Sequence, residues 1–367
     1  MNRRDLLRAC AHASLLALTR SAFAQRPPRV VFLNPGESIE RGAGPLWRMV
    51  AQFMDAAANS LGMQLEVIYG ERDHLLMLRQ AEEVAQRVEA SDYIIIVNEK
   101  LAAEQMLKTL ARSPAKVFLM HNDLTPEQRR EIGNEREHIK NWIGTATTDN
   151  GRGGYILMEY LYRRLGVREP RVLGITGDPS TPVSLERAEG VKDYVTQAGR
   201  GKIDQLVFGD WTYDDGELKA AVLLARYPDA NVIWAGNDSM ALGALRAVNA
   251  RNAPVLVGGM GAFWDAIESV AKGGLTVTSG GHYLIGAWAI VLLYDYHNGR
   301  DFAGHGGLNQ KLDYLYVVDR DNVTRFDEIV LKRPESLSFA RYSKVLHESP
   351  GPYDFSLKKL VDEPKAP

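Results

Sequence analysis

Residues 231–248, NVIWAGNDSMALGALRAV, decide how this chain is built. Asn231 to Ala235 form a short apolar run with β-branched and aromatic side chains, which suits a buried parallel strand, and Gly236 closes it. A helix begins at once. Asn237, Asp238 or Ser239 can each cap its free amides, and Ala241, Leu245 and Val248 fall on one face at helical spacing. In an open α/β sheet the residues just past a strand's carboxyl end line the ligand crevice, so Asn237 stands where a small molecule would be read, or serves only as the cap.

The same alternation extends in both directions. Upstream, strands are expected at 29–34, 64–69, 93–97 and 116–120, with helices at 45–61, 74–89 and 101–111. The fourth strand delivers His121, Asn122 and Asp123 to the crevice position. Residues 125–136 read as a charged surface segment and 139–145 as a short strand-like piece. A second series starts at Asp149, with helices at 153–165, 185–197 and 214–225 and strands at 171–176 and 205–208. After the opening stretch come strands at 255–257 and 275–278, helices at 262–271 and 284–296, a glycine-rich loop and a last strand at 314–318. The tail from Leu331 reads as polar and irregular. Strand and helix in strict turn mark βαβ units on parallel sheets, an α/β fold.

The chain has 367 residues, 45% hydrophobic and 25% charged, enough for two domains of an ordinary globular protein. Residues 1–24 carry Arg3, Arg4 and Arg8, then a short apolar run, then Ala22-Phe23-Ala24, the pattern of a secretory signal cut after Ala24. Arg3-Arg4 before Asp5-Leu6-Leu7 resembles a twin-arginine signal, with the ordinary Sec route as the alternative. The apolar run is too short for a span, which needs about 20 residues. Removing the leader takes away the only cysteine, Cys10, and leaves 40 basic against 45 acidic side chains. The mature chain therefore has no thiol chemistry, and its acidic balance argues against nucleic acid and anionic membranes.

Several motifs then occur in a fixed order: Thr148-Asp149-Asn150 with Gly153-Gly154, Glu186-Arg187-Ala188-Glu189-Gly190, Tyr227-Pro228-Asp229, Asn237-Asp238 with Met240 to Ala244, and Val257-Gly258-Gly259. Their spacing resembles the periplasmic sugar-binding proteins of the ribose-binding type, a fold shared with the regulatory domain of lac-repressor-like proteins. The resemblance covers about 29–318. It implies two Rossmann-like lobes with parallel sheets, joined by three crossover segments and closing on a ligand. Lobe one would be 28–145 plus 282–312, lobe two 146–281 plus 313–345, and 346–367 a C-terminal tail. A leader stands where a repressor would carry its helix-turn-helix.

The resemblance also assigns residues. Arg187 matches a ligand-bonding arginine, Trp211 an aromatic that stacks on the sugar face, and Asn237 a hydroxyl-binding asparagine. Elsewhere the chain departs: His121-Asn122 replace an Asp-Arg pair, Met260 an aspartate, and Gly281 a glutamine. Each lost partner would leave a desolvated sugar hydroxyl unpaired at a cost of about 1–3 kcal/mol, so an unmodified pentose fits poorly. Asn34, Glu37 and Trp47 can reach the cleft from the loop at 35–45, which is longer than the family's, and Trp47 or Trp264 can supply a second aromatic face. His282 is either a hinge hydrogen bond or a ligand donor, and Asp149 anchors the first crossover.

The ligand-binding candidates are thus Asn34, Trp47, His121, Asn122, Arg187, Trp211, Asn237, Met260 and His282. No catalytic residue, metal or cofactor is expected. There is no P-loop and no His-Glu-x-x-His helix, Gly259-Met260-Gly261 lacks the third glycine of a dinucleotide loop, and Ser184 has no evident histidine partner. The resulting expectation is a monomeric exported binding protein serving an ABC permease, or alternatively a receptor for a membrane sensor kinase. A secreted hydrolase on the same frame is a third, weaker reading, for want of a nucleophile.

Overall fold

In the computed structural model, the described residues are 26–39, 45–252, 254–334 and 337–362. The leader expected at 1–24 lies outside them. Among the described residues, twelve strands form two six-stranded sheets, and helices flank both. The first sheet runs in the order Asn309–Leu312 (β11), Trp142–Thr148 (β5), Lys116–His121 (β4), Tyr93–Val97 (β3), Arg29–Asn34 (β1) and Gln64–Tyr69 (β2). All its pairings are parallel. The second runs Tyr316–Val318 (β12), Val277–Gly280 (β10), Leu256–Gly261 (β9), Val232–Ala235 (β8), Arg171–Thr176 (β6) and Lys202–Phe208 (β7), with only β12 antiparallel. Central strands such as β3 and β8 are buried throughout, as strands covered on both faces must be.

The opening stretch folds as read. Val232–Ala235 is a fully buried strand, the Asn237 side chain accepts the Met240 amide at 2.9 Å, and the helix Asp238–Ala250 follows. Elsewhere several boundaries move. The helix expected at 74–89 is His74–Ala85, because Val88 is fully exposed and another turn would bury nothing. The charged segment at 125–136 contains the helix Pro126–Ile132, started by a capping box in which Thr125 accepts from the Gln128 amide and the Gln128 side chain accepts from the Thr125 amide. The strand expected at 139–145 is β5, shifted to Trp142–Thr148, and β11 lies in what reads as a glycine-rich loop.

The tail departs most from its sequence reading. Phe339, Phe355, Leu357 and Val361 are buried. Phe355 stacks on Trp288 at 4.6 Å between centroids, while Tyr342 and Phe339 meet that indole edge-on. Asp295, on the same helix Ile285–His297, is fully buried and accepts hydrogen bonds from the Lys344 amide at 2.6 Å, the Tyr353 hydroxyl at 2.8 Å and the Ser343 hydroxyl.

The chain passes between the sheets three times, after β5, after β10 and between β11 and β12. One hydroxyl ties the three passages together. Tyr314, on the third, shares a 2.7 Å hydrogen bond with Thr148 on the first and donates to the His282 carbonyl on the second at 3.3 Å. Gly281, at φ +104°, makes the second turn, and a Cβ there would strike Leu357 of the tail at 2.3 Å.

Candidate functional site

The carboxyl ends of both sheets face one partly open cavity. The first sheet and its helices contribute Trp47, Arg72, Glu99, His121 and Asn122, the second Thr181, Arg187, Trp211, Asn237, Met260 and Phe263, and the second passage His282.

Trp47 sits in the first turn of the helix Leu46–Leu61, and its position follows from Asn34 and Gly36. The Asn34 amide donates to the Trp47 carbonyl at 3.0 Å and its oxygen accepts from the Gly36 amide at 2.8 Å. A Cβ on Gly36 would fall 2.2 Å from the Trp47 Cβ. Asn34 is therefore a correction: it lies at a strand end, but both ends of its side chain are occupied locally and it does not line the cavity. Trp264 is also outside, 42% exposed on a separate surface hollow, and Phe263 is the aromatic that lines the cavity from that turn. Asp238 holds the turn by accepting from the Phe263 amide at 3.0 Å and the Thr278 hydroxyl at 2.7 Å. Burial raises the Asp238 carboxyl to about 6.

Trp211 and His121 both have left-handed backbones, at φ +73° and +71°. Such conformations cost about 1–3 kcal/mol in non-glycine residues and tend to mark binding sites. The Asn237 amide donates to the Trp211 carbonyl at 2.8 Å, so Asn237 caps its helix, fixes the indole and lines the cavity together. A Cβ on Gly177 would sit inside the Trp211 ring, 1.9 Å from its nearest atom. Arg187 is brought in by a close helix pair: a Cβ on Gly154 would lie 2.2 Å from the Arg187 carbonyl. Its Nη1 donates to the Gly236 carbonyl at 2.6 Å and its Nε to Asn150 Oδ1 at 3.2 Å, with the guanidinium 5.9 Å from the Trp211 ring. Burial lowers the Arg187 pKa to about 10.

The two histidines are buried, His121 edge-on to Trp47 at 4.9 Å. Burial, with the nearby Arg187 charge adding to it, lowers the His121 pKa to about 3, and the same causes together with His121 push His282 well below its usual value. Both imidazoles are neutral near pH 7. Neither ring nitrogen of His282 has a hydrogen-bond partner, nor do His121 Nδ1, Asn122 Oδ1 or the Thr181 hydroxyl. Buried polar atoms are normally paired, so this many orphans around one cavity point to a polar guest.

Sequence reasoning missed Arg72, Glu99, Thr181 and Phe263. Glu99 lies just beyond β3, where the rule that found His121 beyond β4 would have found it. It is wholly buried, with a carboxyl raised by desolvation, and Arg72 stands 3.7 Å away on a turn whose residues 71 and 72 are left-handed. Among the described residues, no group of three or more His, Cys, Asp or Glu is placed to hold a metal ion, and no helix is long and apolar enough to cross a membrane.

A sequence model of the periplasmic binding protein domain matches residues 38–301. The chain belongs to the periplasmic binding protein family. A solved periplasmic sugar-binding protein from Pseudomonas fluorescens is 30% identical, with a TM-score of 0.80, over 91% of this chain and 99% of that one. The ribose import binding protein of Haemophilus influenzae is 28% identical over 60% of this chain and 70% of its own length. The D-ribose/D-allose-binding protein of Pseudomonas aeruginosa is 41% identical over a shorter stretch, 28% of this chain and 31% of that protein. The family binds rather than transforms its ligands, and relatives of this chain include periplasmic sugar-binding proteins.

Proposed function

We propose that this periplasmic binding protein is the solute-capturing component of an ABC uptake system and that it takes a small, sugar-like polar molecule into the cavity by hinge closure. The working lobes are 28–145 plus 282–312 and 146–281 plus 313–345, moving about the three passages knotted by Tyr314. The observation that carries this reading is the set of orphaned polar atoms on His121, Asn122, Thr181 and His282, drawn from both lobes and the hinge and lining one cavity with Trp47 and Trp211. A ligand gripped from both sides stabilises the closed state by contacts the open state lacks. Export follows the leader read at 1–24, so mature protein recovered from the periplasm should begin at Gln25.

A thermal-shift screen over sugars, polyols, cyclitols and small acids tests the binding role. A ligand at 100 times its dissociation constant adds about 2.7 kcal/mol to stability. A hit should also shrink the radius of gyration in solution scattering. Binding with unchanged dimensions would refute closure, and a blank screen across these classes would refute the function.

A further inference from the structure

Arg48, Arg72 and Arg187 line the cavity, and of these Arg187 is the buried one. Arg72 has a carboxylate, Glu99, at 3.7 Å. Arg187 has none within ion-pair distance among the described residues, although its side chain is almost wholly buried. Its bonded partners are neutral, the Gly236 carbonyl and Asn150 Oδ1. The nearest acids are engaged elsewhere. Glu186 accepts from the far end of Asn150 at 3.3 Å, so the asparagine stands between the two charges, and Asp238 is spent on Thr278 and the Phe263 amide. Neither uncharged histidine offers compensation. A buried cation without a counter-ion is costly, and a cleft built this way is completed by an anion that arrives with the guest.

We propose that the ligand is a sugar acid, a polyhydroxy compound with one carboxylate, whose anionic group rests on the free edge of Arg187 beside Trp211 while His121, Asn122 and His282 bond its hydroxyls. One buried cation without an ion-pair partner calls for one negative charge, which favours a carboxylate over a phosphate dianion. The acids that line the cavity, Glu37 and Glu99, both follow strands of the first sheet, whereas Met260, on the sheet flanked by the Arg187 helix, is apolar and 1% exposed. This inference rests on the binding role proposed above and names its ligand class.

The test is calorimetric titration of the full mature chain with matched pairs: D-glucuronate and D-glucose, D-galacturonate and D-galactose, D-mannuronate and D-mannose, with D-glucose 6-phosphate as a further arm. At least one acid should bind about 10- to 100-fold more tightly than its neutral twin, as a charge-assisted contact implies. The preference should collapse in Arg187→Met and persist in Arg187→Lys, which keeps the charge, each variant first shown to be folded by its melting curve. Neutral sugars that bind as well as or better than their acids would overturn the inference while leaving the binding role intact. Tighter binding of the phosphate than of any carboxylate would also overturn it. If no member of any pair binds, the inference falls, and the wider screen described above decides whether the binding role falls with it.

Discussion

Asp295 and His282 are equally inaccessible, yet their surroundings are opposite. Asp295 is saturated: the tail brings a hydroxyl from Ser343, another from Tyr353 and the amide of Lys344 to its two oxygens. His282 has two ring nitrogens and no partner for either. Both are polar and both sit in the helical segment that follows β10, so burial alone does not separate them. What separates them is the space beside each. Aromatic rings of the tail pack on the helix that carries Asp295, whereas a cavity adjoins His282. A buried polar group with all its bonds made belongs to the architecture, and one left open beside a cavity belongs to the ligand.

Substitutions can break that contrast. Asp295→Ala should have the largest effect, lowering stability by about 3 kcal/mol or more, since several buried donors lose their shared acceptor together. Chemical denaturation measures it, and a loss under about 1 kcal/mol would show that the tail is only loosely tied.

His121→Gln sharpens the contrast through pH. The buried imidazole has a pKa of about 3 against about 6.5 when unfolded, so the unfolded chain binds a proton that the folded one refuses. His121 therefore removes stability as the pH falls from about 6.5 towards 3, by up to about 1.4 kcal/mol per pH unit. Asp238 has the opposite sign, its carboxyl being raised to about 6, so its contribution is lost as the pH rises towards that value. Asp238 is common to both proteins. The difference between His121→Gln and wild type isolates the histidine and should grow in the variant's favour on acidification. A pH-independent difference would mean that His121 is not held neutral.

The smallest effect has an unusual direction. His282→Leu replaces two unpaired ring nitrogens with apolar atoms, and should leave thermal stability unchanged or raise it by about 1 kcal/mol. A loss of several kcal/mol would class His282 with Asp295.

These examples also explain what the sequence disclosed. The strand and cap at 231–248 were legible because the fold and the cap rest on residues adjacent in the chain. The rule that placed His121 and Asn122 at a strand's carboxyl end worked for the same reason, whereas the long loop at 35–45, expected to bring Asn34 to the cleft, instead uses up its side chain on Gly36 and Trp47. Partners remote in sequence left no local signal. Phe339 and Phe355 follow no helical or strand period, and they become core residues only because Trp288, more than fifty positions earlier, receives them. Arg72 and Glu99 likewise acquire meaning only when two turns meet. β11, with its polar Asn309-Gln310-Lys311 run, is a strand because β5 offers an edge, not because its residues favour one.

The central claim, that open polar atoms around the cavity await a guest, is tested most directly by titrating the same sugars and sugar acids into wild type and His282→Leu. Wild type should bind at least one of them one-to-one, and the variant should show no measurable binding of it while melting at the same temperature or higher. Equal affinity in the two proteins would place the ligand elsewhere and contradict the account.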